Sequence, residues 1–392
     1  MKHNEKDFLL IEKDGALYDF YEKNKEVTWL SFDTEFVGEK RFFTRLCLLQ
    51  VATSHGNYII DPLKVEDLHP FHLMLEDPAI LKITHAGDND YRLMNSLYGT
   101  IPQNIFDTQI AAGFLGYQYP LSYGKLVEGE TGRRLKKGYA VTDWEGRPLG
   151  PKQLEYAILD VLPLYDLWQS LNGKLNNINR LHWAKEEFLR WEDPAFYEKD
   201  LYAEVLKSNL MNSLDRNGKL FLMRLIMWRA ETAERRDHSK EMVLPSKNIG
   251  QIVRSVTSGY EGLKNNRHLP DKLVQKYGQI FSKFYSDPAT KEEIAVLKMF
   301  GKEEQLFPQE EIMIELLHLL VRQKCLDADV SPVLVLAKSA LKKMKSDVAT
   351  RESLSLCQWK IELLGEELVH WLLHPHELEM KVEGGNILIM ES

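Results

Sequence analysis

An Asp-Thr-Glu motif, Asp33 to Glu35, stands where an apolar stretch from Trp29 to Phe36 runs out. Successive side chains of a β-strand point to opposite faces, so Asp33 and Glu35 share one face while Thr34 points to the other. The motif alone is weak evidence, because the chain contains a second Asp-x-Glu at Asp143 to Glu145 and a solvated strand end is the usual interpretation. Its position after an apolar run predicts a strand that presents two carboxylates together.

Further acidic residues lie in separate segments downstream. Asp90 follows His85-Ala86-Gly87, Asp107 opens an Asp-Thr-Gln motif, and Asp160 lies four residues after Tyr156. Carboxylates that converge from separate elements disfavour each other's ionisation unless a cation lies between them. A hard divalent metal, which prefers oxygen ligands, is the simplest way to satisfy such a group.

The Tyr-x-x-x-Asp spacing occurs twice, at Tyr139/Asp143 and at Tyr156/Asp160. The second copy follows Pro151, which suits the first turn of a helix, and the apolar residues around it recur at helical spacing. In such a helix Tyr156 and Asp160 lie one turn apart on one face. The first copy lies in a loop-like stretch and is interpreted as incidental. For the second, the alternative is an exposed, hydrogen-bonded helix pair.

Together these motifs resemble the DEDD exonucleases, and in particular the DEDDy branch, which has a tyrosine in the third motif. The resemblance to the ribonuclease D family extends over the following segments: Phe32–Val37, Ile60–Leu63, Lys82–Gly87, Phe106–Gln109, Thr142–Trp144, Arg147–Leu149 and Tyr156–Asp160. It implies two-metal-ion hydrolysis of phosphodiesters from a free 3′ end, with release of nucleoside 5′-monophosphates.

The resemblance also implies the roles of the site residues. Asp33, Glu35, Asp90 and Asp160 would hold two divalent metal ions, Mg²⁺ or Mn²⁺. Tyr156 would orient the attacking water rather than remove its proton, because the reference pKa of a phenol is about 10. All five residues are therefore the predicted catalytic set.

Two neighbouring positions are expected to support this set. Asp107 matches a family position outside the metal ligands, so a structural role is expected. His85 is expected to support the active-site loop, because the family's ligands are carboxylates. Asp88-Asn89 stands where the family often has Ser-Glu, a departure that leaves the position of Asp90 intact.

Basic and aromatic residues near the motifs are candidates for substrate binding. Four basic residues precede the third motif: Arg133, Arg134, Lys136 and Lys137. They could contact phosphates, which fix the position of a nucleic acid without reading its sequence, or they could form a solvated loop. Phe42 and Phe43 follow the first motif and could stack on a terminal base. The alternative is that one of these two phenylalanines packs in a core.

Hydrophobic patterns predict three strands joined by short connections, at Val27–Phe36, Leu46–Ala52 and Asn57–Ile60. Two later strands, at Ile80–Thr84 and Ile105–Phe106, are each followed by a predicted helix. This order predicts a mixed sheet flanked by helices. The resemblance implies that the fold class is an α/β ribonuclease-H-like exonuclease domain followed by all-α helical domains of HRDC type.

At 392 residues the chain is long enough for two or three domains. We expect the exonuclease domain over residues 1–206 and an HRDC domain over residues 207–292. The latter helices are similar to the small nucleic-acid-binding module shared by RecQ-type helicases and the ribonuclease D family. A degenerate second HRDC-like domain is expected over residues 293–378, and a C-terminal tail over residues 379–392.

Charge is unevenly divided along the chain. The net charge is −8, yet residues 212–290 contain 14 Lys and Arg against 8 Asp and Glu, which gives +6 and leaves −14 for the remainder. This asymmetry is typical of a nucleic-acid-binding module beside an acidic metal site. The alternative is a well-solvated helix face, since exposed charges contribute little by themselves.

The charged N-terminus lacks the apolar run of a signal peptide, and three scattered cysteines fit a reducing compartment. We therefore expect a cytoplasmic enzyme that does not enter membranes.

The leading hypothesis is a metal-dependent 3′–5′ exoribonuclease whose partner is RNA, such as the 3′ ends of transfer-RNA precursors. A 3′–5′ DNA exonuclease and a catalytically inactive nucleic-acid-binding protein are the alternatives, and the oligomeric state is left open.

Overall fold

The computed structural model describes residues 7–135, 142–198, 202–206, 208–299, 307–344, 348–374, 378–383 and 386–391. The chain divides into two compact units. Unit 1 comprises Met1–Phe36, Leu46–Tyr197 and Glu304–Ser392, and unit 2 comprises Val37–Arg45 and Glu198–Glu303. None of the helices in the described ranges combines the length and apolar content that a membrane span requires.

The N-terminal part of unit 1 alternates strands and helices. In chain order these are β1 (Leu9–Ile11), α1 (Asp14–Asn24), β2 (Trp29–Val37), β3 (Arg45–Thr53), β4 (Gly56–Ile60), α2 (His69–Glu76), β5 (Leu81–Thr84), α3 (Asp88–Tyr98), β6 (Ile105–Asp107), α4 (Thr108–Gly113), α5 (Tyr123–Thr131), α6 (Pro151–Leu159), α7 (Leu164–Asn177) and α8 (Leu181–Phe188). Two short 3-10 turns follow, at Leu189–Trp191 and Pro194–Tyr197.

Six strands form one sheet in the order β1-β4-β3-β2-β5-β6. The pair β3/β4 is antiparallel, whereas β1/β4, β2/β5 and β5/β6 are parallel. The mixed sheet confirms the predicted fold class, and the five predicted strands are β2 to β6. The edge strand β1 was not predicted, because the short apolar run from Phe8 to Ile11 forms a strand only when β4 is there to pair with it.

The parallel strands position the acidic motifs. Ser31 of β2 pairs with Ile83 of β5, and Thr84 of β5 pairs with Asp107 of β6. Parallel neighbours have their carboxyl ends at the same edge of a sheet. The segments that follow Ser31, Thr84 and Phe106 therefore meet at one edge, although they are far apart in sequence.

The C-terminal segment of unit 2 is helical among its described residues. Its helices are α9 (Ala203–Leu206), α10 (Arg216–Arg236), α11 (Lys240–Val243), α12 (Ser246–Ser255), α13 (Gly259–Lys264), α14 (Asp271–Ser286) and α15 (Lys291–Met299), with 3-10 turns at Asn209–Ser213 and Val256–Ser258. Trp228 of α10 packs edge-on against Tyr277 and Phe281 of α14, with ring centroids 4.8 and 5.0 Å apart. The predicted helical character is confirmed, and the assignment to the HRDC type stays a prediction.

The C-terminal part of unit 1 begins with six helices and ends with a hairpin. The elements are α16 (Pro308–Asp327), α17 (Pro332–Val335), α18 (Lys338–Lys343), α19 (Val348–Leu356), α20 (Gln358–Leu364), α21 (Glu366–Leu373), β7 (Leu378–Glu383) and β8 (Asn386–Glu391). The two strands pair antiparallel, from Leu378 opposite Glu391 to Glu383 opposite Asn386. The described residues of the predicted C-terminal tail therefore contain strands.

These C-terminal helices pack on the exonuclease residues of unit 1. Trp359 of α20 is fully buried, and its ring lies edge-on to Phe114 at 4.8 Å between centroids. Its indole nitrogen donates a hydrogen bond to Glu187 of α8 (2.9 Å), and Trp183 of α8 donates one to Glu362 of α20 (2.6 Å). Residues 304–392 thus cluster with the N-terminal segments, while the predicted domain boundaries stay predictions.

Replacing Trp359 by alanine should destabilise unit 1 by about 3–5 kcal/mol, because the change leaves a large cavity and an unpaired Glu187. Urea unfolding followed by circular dichroism measures the loss. Leu356→Ala is the control, since Leu356 lies in the adjacent helix with 78% of its side chain exposed and should cost less than about 0.5 kcal/mol. Equal effects of the two substitutions would contradict this packing.

Candidate active site

The end of β2 presents two carboxylates side by side. Asp33 and Glu35 are partly buried. Phe32, which precedes Asp33, is 1% exposed, and Thr34, which lies between the two acids, is 6% exposed. The ring of Phe32 packs edge-on against Phe71, with centroids 5.9 Å apart. The alternation predicted from the sequence is therefore confirmed, because the apolar face of β2 packs in the core and leaves its acidic face at the site.

Asp160 completes a group of three carboxylates. One oxygen each from Asp33, Glu35 and Asp160 lie within 4.8 Å of one another. Asp160 is the residue that ends α6, one turn after Tyr156, and its backbone N–H still bonds to the carbonyl of Ala157 at 3.2 Å. Three convergent carboxylate oxygens are the donor set that hard divalent cations prefer.

Asp90 lies beside this group without belonging to it. It sits in the first turn of α3, is 7% exposed, and accepts a hydrogen bond from the hydroxyl of Thr34. Its charge raises the pKa values of both Asp33 and Glu35. Three of the four predicted metal ligands, Asp33, Glu35 and Asp160, therefore converge, and Asp90 lies beside them, held by the hydroxyl of Thr34.

Burial and mutual repulsion raise the pKa values of these acids. Burial raises the pKa of Asp33 well above its ordinary value, and the charges of Asp90, Asp160 and Glu35 raise it further. The pKa of Glu35 is raised to about 8, mainly by burial and then by Asp160 and Asp90. Burial also raises the pKa values of Asp160 and Asp90 to about 7. Without a cation the cluster holds protons at neutral pH, and a divalent cation would replace them.

Tyr156 faces the same group of carboxylates. Burial, followed by the charges of Asp160, Glu35 and Asp33, raises the pKa of its phenol to about 12. The hydroxyl is therefore protonated at neutral pH and can donate or accept a hydrogen bond. Such a group orients a water molecule but is a poor base.

The loop that carries Asp90 is held by Asp107. One carboxylate oxygen of Asp107 caps α4 by accepting from the backbone N–H groups of Gln109 and Ile110 (2.9 and 3.0 Å), and the other accepts from Gly87 N–H (2.9 Å). A side chain at Gly87 would come within 2.6 Å of the Thr84 hydroxyl, so only glycine fits. The expectation that Asp107 supports the structure is confirmed.

His85 serves the same loop. Its Nδ1 lies 3.0 Å from the hydroxyl of Thr108, and its Nε2 donates to the carbonyl of Leu121 at 3.0 Å. With both ring nitrogens engaged, His85 supports the loop as predicted. Asp88, the departure from the family pattern, is bonded to Arg92 (2.9 Å) and Trp191 (3.1 Å) rather than to the acidic group.

A buried ion pair holds the approach to α6, and the sequence prediction gave it no role. Arg147 makes two hydrogen bonds to the Asp61 carboxylate, at 2.6 and 2.7 Å, and also donates to the carbonyl of Cys47 in β3 (2.7 Å). Asp61 directly follows β4 and is 1% exposed. Bidentate pairs of this kind fix orientation as well as distance. The pair therefore ties the segment before Tyr156 to the sheet. Both residues lie in segments that resemble the ribonuclease D family, and their opposite charges were the signal that could have predicted the pair.

The second Asp-x-Glu and the first Tyr-x-x-x-Asp prove unrelated to the site as far as they are described. Asp143 is exposed and caps a turn through the backbone N–H groups of Glu145 and Gly146. The carbonyl of Asp143 accepts a hydrogen bond from the side chain of Gln153. Tyr139 lies outside the described residues.

The predicted substrate-binding residues are less closely tied to the carboxylates. Arg133 is exposed, and Arg134 is 84% exposed and paired with Glu128 at 2.5 Å. Lys136 and Lys137 lie outside the described residues. Phe42 packs against the core of unit 2 and Phe43 is 48% exposed. Their roles in substrate binding stay predictions.

Comparison with known proteins agrees with this geometry. The profile of the 3′–5′ exonuclease family matches residues 9–176. Ribonuclease D of Desulfotalea psychrophila is 30% identical over 340 residues, which cover 86% of this chain and 90% of that protein. Ribonuclease D of a Shewanella species is 32% identical over 272 residues, covering 69% of this chain and 70% of the relative.

The fold is also that of a solved structure. The crystal structure of Escherichia coli RNase D superposes with a TM-score of 0.79 at 22% identity, covering 94% of this chain and 99% of that one. A protein from Bifidobacterium adolescentis gives a TM-score of 0.68 over 93% of this chain. These likenesses establish the fold, while the sequence relationship to the Desulfotalea enzyme establishes the family. The chain therefore belongs to the ribonuclease D family, with a 3′–5′ exonuclease domain that includes residues 9–176.

Proposed function

We propose that the protein is a metal-dependent 3′–5′ exoribonuclease that trims the 3′ ends of structured RNA such as transfer-RNA precursors. The observation that carries the proposal is the convergence of Asp33, Glu35 and Asp160 within 4.8 Å, beside Asp90 and Tyr156. Membership in the ribonuclease D family supports RNA as the substrate. The related E. coli enzyme is described as an exoribonuclease involved in structured RNA processing.

The four carboxylates are proposed to hold two divalent metal ions, Mg²⁺ or Mn²⁺. Asp33, Glu35 and Asp160 would hold one ion, and Asp33 with Asp90 the second. Bound cations of this kind supply Lewis-acid stabilisation of the charge that develops on the phosphate and the leaving oxygen, and they lower the pKa of water. The fit rests on oxygen ligands that repel one another without a cation.

Tyr156 is proposed to position the attacking water. Its pKa of about 12 keeps the hydroxyl protonated. The uncharged hydroxyl can therefore donate a hydrogen bond to the attacking water or accept one from it, which fixes the direction of the water. Its place one helical turn before Asp160, and the effect of the charges of Asp160, Glu35 and Asp33 on its phenol, support this role. Orientation of this kind lowers the entropy that must be lost in reaching the transition state.

Unit 2 is proposed to anchor the RNA. Residues 212–290, with their net charge of +6, lie within it. Part of that charge is used internally: Arg224 pairs with Glu293 and Arg229 with Glu204 and Glu241. Lys240 also pairs with Glu204. Other lysines and arginines of the segment are proposed to contact phosphates, and such contacts are independent of sequence.

Asp33→Asn should abolish hydrolysis, by about 10³-fold or more, because an amide replaces a charged ligand at the centre of the group. Binding of a transfer-RNA precursor should persist, since the basic residues of unit 2 are untouched. Turnover of end-labelled RNA and filter binding measure the two effects. Asp193→Asn, at an exposed acid that only caps a turn, should behave as wild type. Near-normal turnover by Asp33→Asn in Mg²⁺ or Mn²⁺ would refute the assignment.

Metal affinity should rise with pH between about 6 and 8. The raised pKa values, about 7 for Asp160 and Asp90 and about 8 for Glu35, mean that protons occupy the cluster at pH 6 and must leave when a cation binds. Above pH 8 these groups are already ionised and the dependence should level off. Titration calorimetry with Mg²⁺ or Mn²⁺ in buffers of different ionisation enthalpy measures the protons released. A pH-independent affinity without proton release would contradict the proposed ligand set.

RNA with a 3′-hydroxyl should yield a ladder of products shortened one nucleotide at a time, together with nucleoside 5′-monophosphates. The same RNA with a 3′-phosphate should resist trimming, because a pocket with four carboxylates disfavours further negative charge near the scissile bond. Phosphatase treatment should restore trimming and serves as the control. A matched DNA strand tests the alternative substrate. Internal cleavage of circular RNA at a comparable rate would point to an endonuclease instead.

A further inference from the structure

We infer that the hydroxyl of Tyr123 is a further catalytic group, which donates a hydrogen bond to a non-bridging oxygen of the scissile phosphate. This inference rests on the proposed hydrolysis of a phosphodiester at the carboxylate cluster. Tyr123 is the first residue of α5 and lies outside every motif that the sequence singled out. Its position is set by the same loop that supports Asp90.

The hydroxyl of Tyr123 is buried and has no hydrogen-bond partner among the described residues. Buried hydroxyl groups are satisfied in the great majority of folded proteins, because an unpaired one costs free energy. An unpaired buried donor therefore calls for a ligand or a water molecule as its partner. The charges of Asp160 and Asp33 act on this phenol, so the unpaired group belongs to the neighbourhood of the carboxylates.

The ring of Tyr123 cannot easily turn towards another partner. The carbonyl of Leu121, two residues before Tyr123, accepts hydrogen bonds from His85 Nε2 (3.0 Å) and from Gln109 Nε2 (2.8 Å). The imidazole of His85 also packs against the Tyr123 ring, with centroids 5.3 Å apart. The backbone and ring are thus held by His85, which follows β5, and by Gln109 of α4.

A phosphate is the partner whose chemistry suits this donor. Its non-bridging oxygens accept hydrogen bonds and gain negative charge during hydrolysis, and the surrounding carboxylates would otherwise repel them. Burial and the charges of Asp160 and Asp33 raise the phenol's pKa well above its ordinary value, so it remains a donor across the neutral range. Tyr156, by contrast, is assigned to the water, so the two hydroxyls serve different oxygens.

The test is Tyr123→Phe, which removes the hydroxyl and keeps the ring. Turnover of 3′-hydroxyl RNA should fall about 10²-fold, the scale expected for loss of one donor to a developing charge, with KM little changed. The midpoint of urea unfolding should stay the same or rise, because the lost group has no partner in the part of the chain that the structure describes. This combination of slower catalysis and undiminished stability is the expected result.

Tyr58→Phe is the matched control, since the buried hydroxyl of Tyr58 accepts a hydrogen bond from Asn24 at 3.2 Å, away from the carboxylates. It should lower the unfolding midpoint and leave turnover unchanged. Normal turnover by Tyr123→Phe would overturn the inference, because the hydroxyl of the unchanged protein would then have only a water molecule as its partner. A fall in turnover together with a fall in stability would also overturn it, by showing a structural role. Asp33→Asn measured alongside separates the cases, because activity in that variant would refute the proposed function itself.

Discussion

Repulsion among Asp33, Glu35 and Asp160 is the constraint on which the organisation of unit 1 depends. Their oxygens lie within 4.8 Å of one another, and burial adds the cost of removing water from each charge. Protons relieve this cost in the absence of a cation, as the raised pKa values of all four acids indicate. A fold can maintain such a group only if rigid elements hold each acid from behind.

Three separate supports hold the four acids. The apolar face of β2 fixes Asp33 and Glu35, Asp107 ties down the loop before Asp90, and the bidentate pair of Arg147 and Asp61 anchors the segment before α6. Asp107 is satisfied by backbone N–H groups, and the charge of Asp61 is neutralised by Arg147. The carboxylates at the centre can therefore bind a cation, and the surrounding framework holds them in position for catalysis.

The C-terminal helices and unit 2 differ in what they contribute. Residues 304–392 cluster with the exonuclease segments, with Trp359 buried between Phe114 and Trp183, so they stabilise the catalytic unit. Unit 2 holds the basic stretch and the segment Val37–Arg45 that directly follows β2, where the carboxylate of Asp237 accepts from the backbone N–H groups of Phe42 and Phe43. The chain that leaves the catalytic strand is thus fixed within the basic unit.

The sequence by itself determined the five strands β2 to β6 and the helix that carries Tyr156, because these depend on local periodicity. The choice of Asp33, Glu35, Asp90 and Asp160 as the acidic set came from the resemblance to the ribonuclease D family and stays a prediction. Only the tertiary structure decided the rest. Strand β1 exists through pairing with β4, Trp359 finds partners more than 170 residues away, and the unpaired hydroxyl of Tyr123 becomes visible only when its surroundings are known. Long-range contacts leave no period in a sequence, so their outcome is fixed by packing in three dimensions.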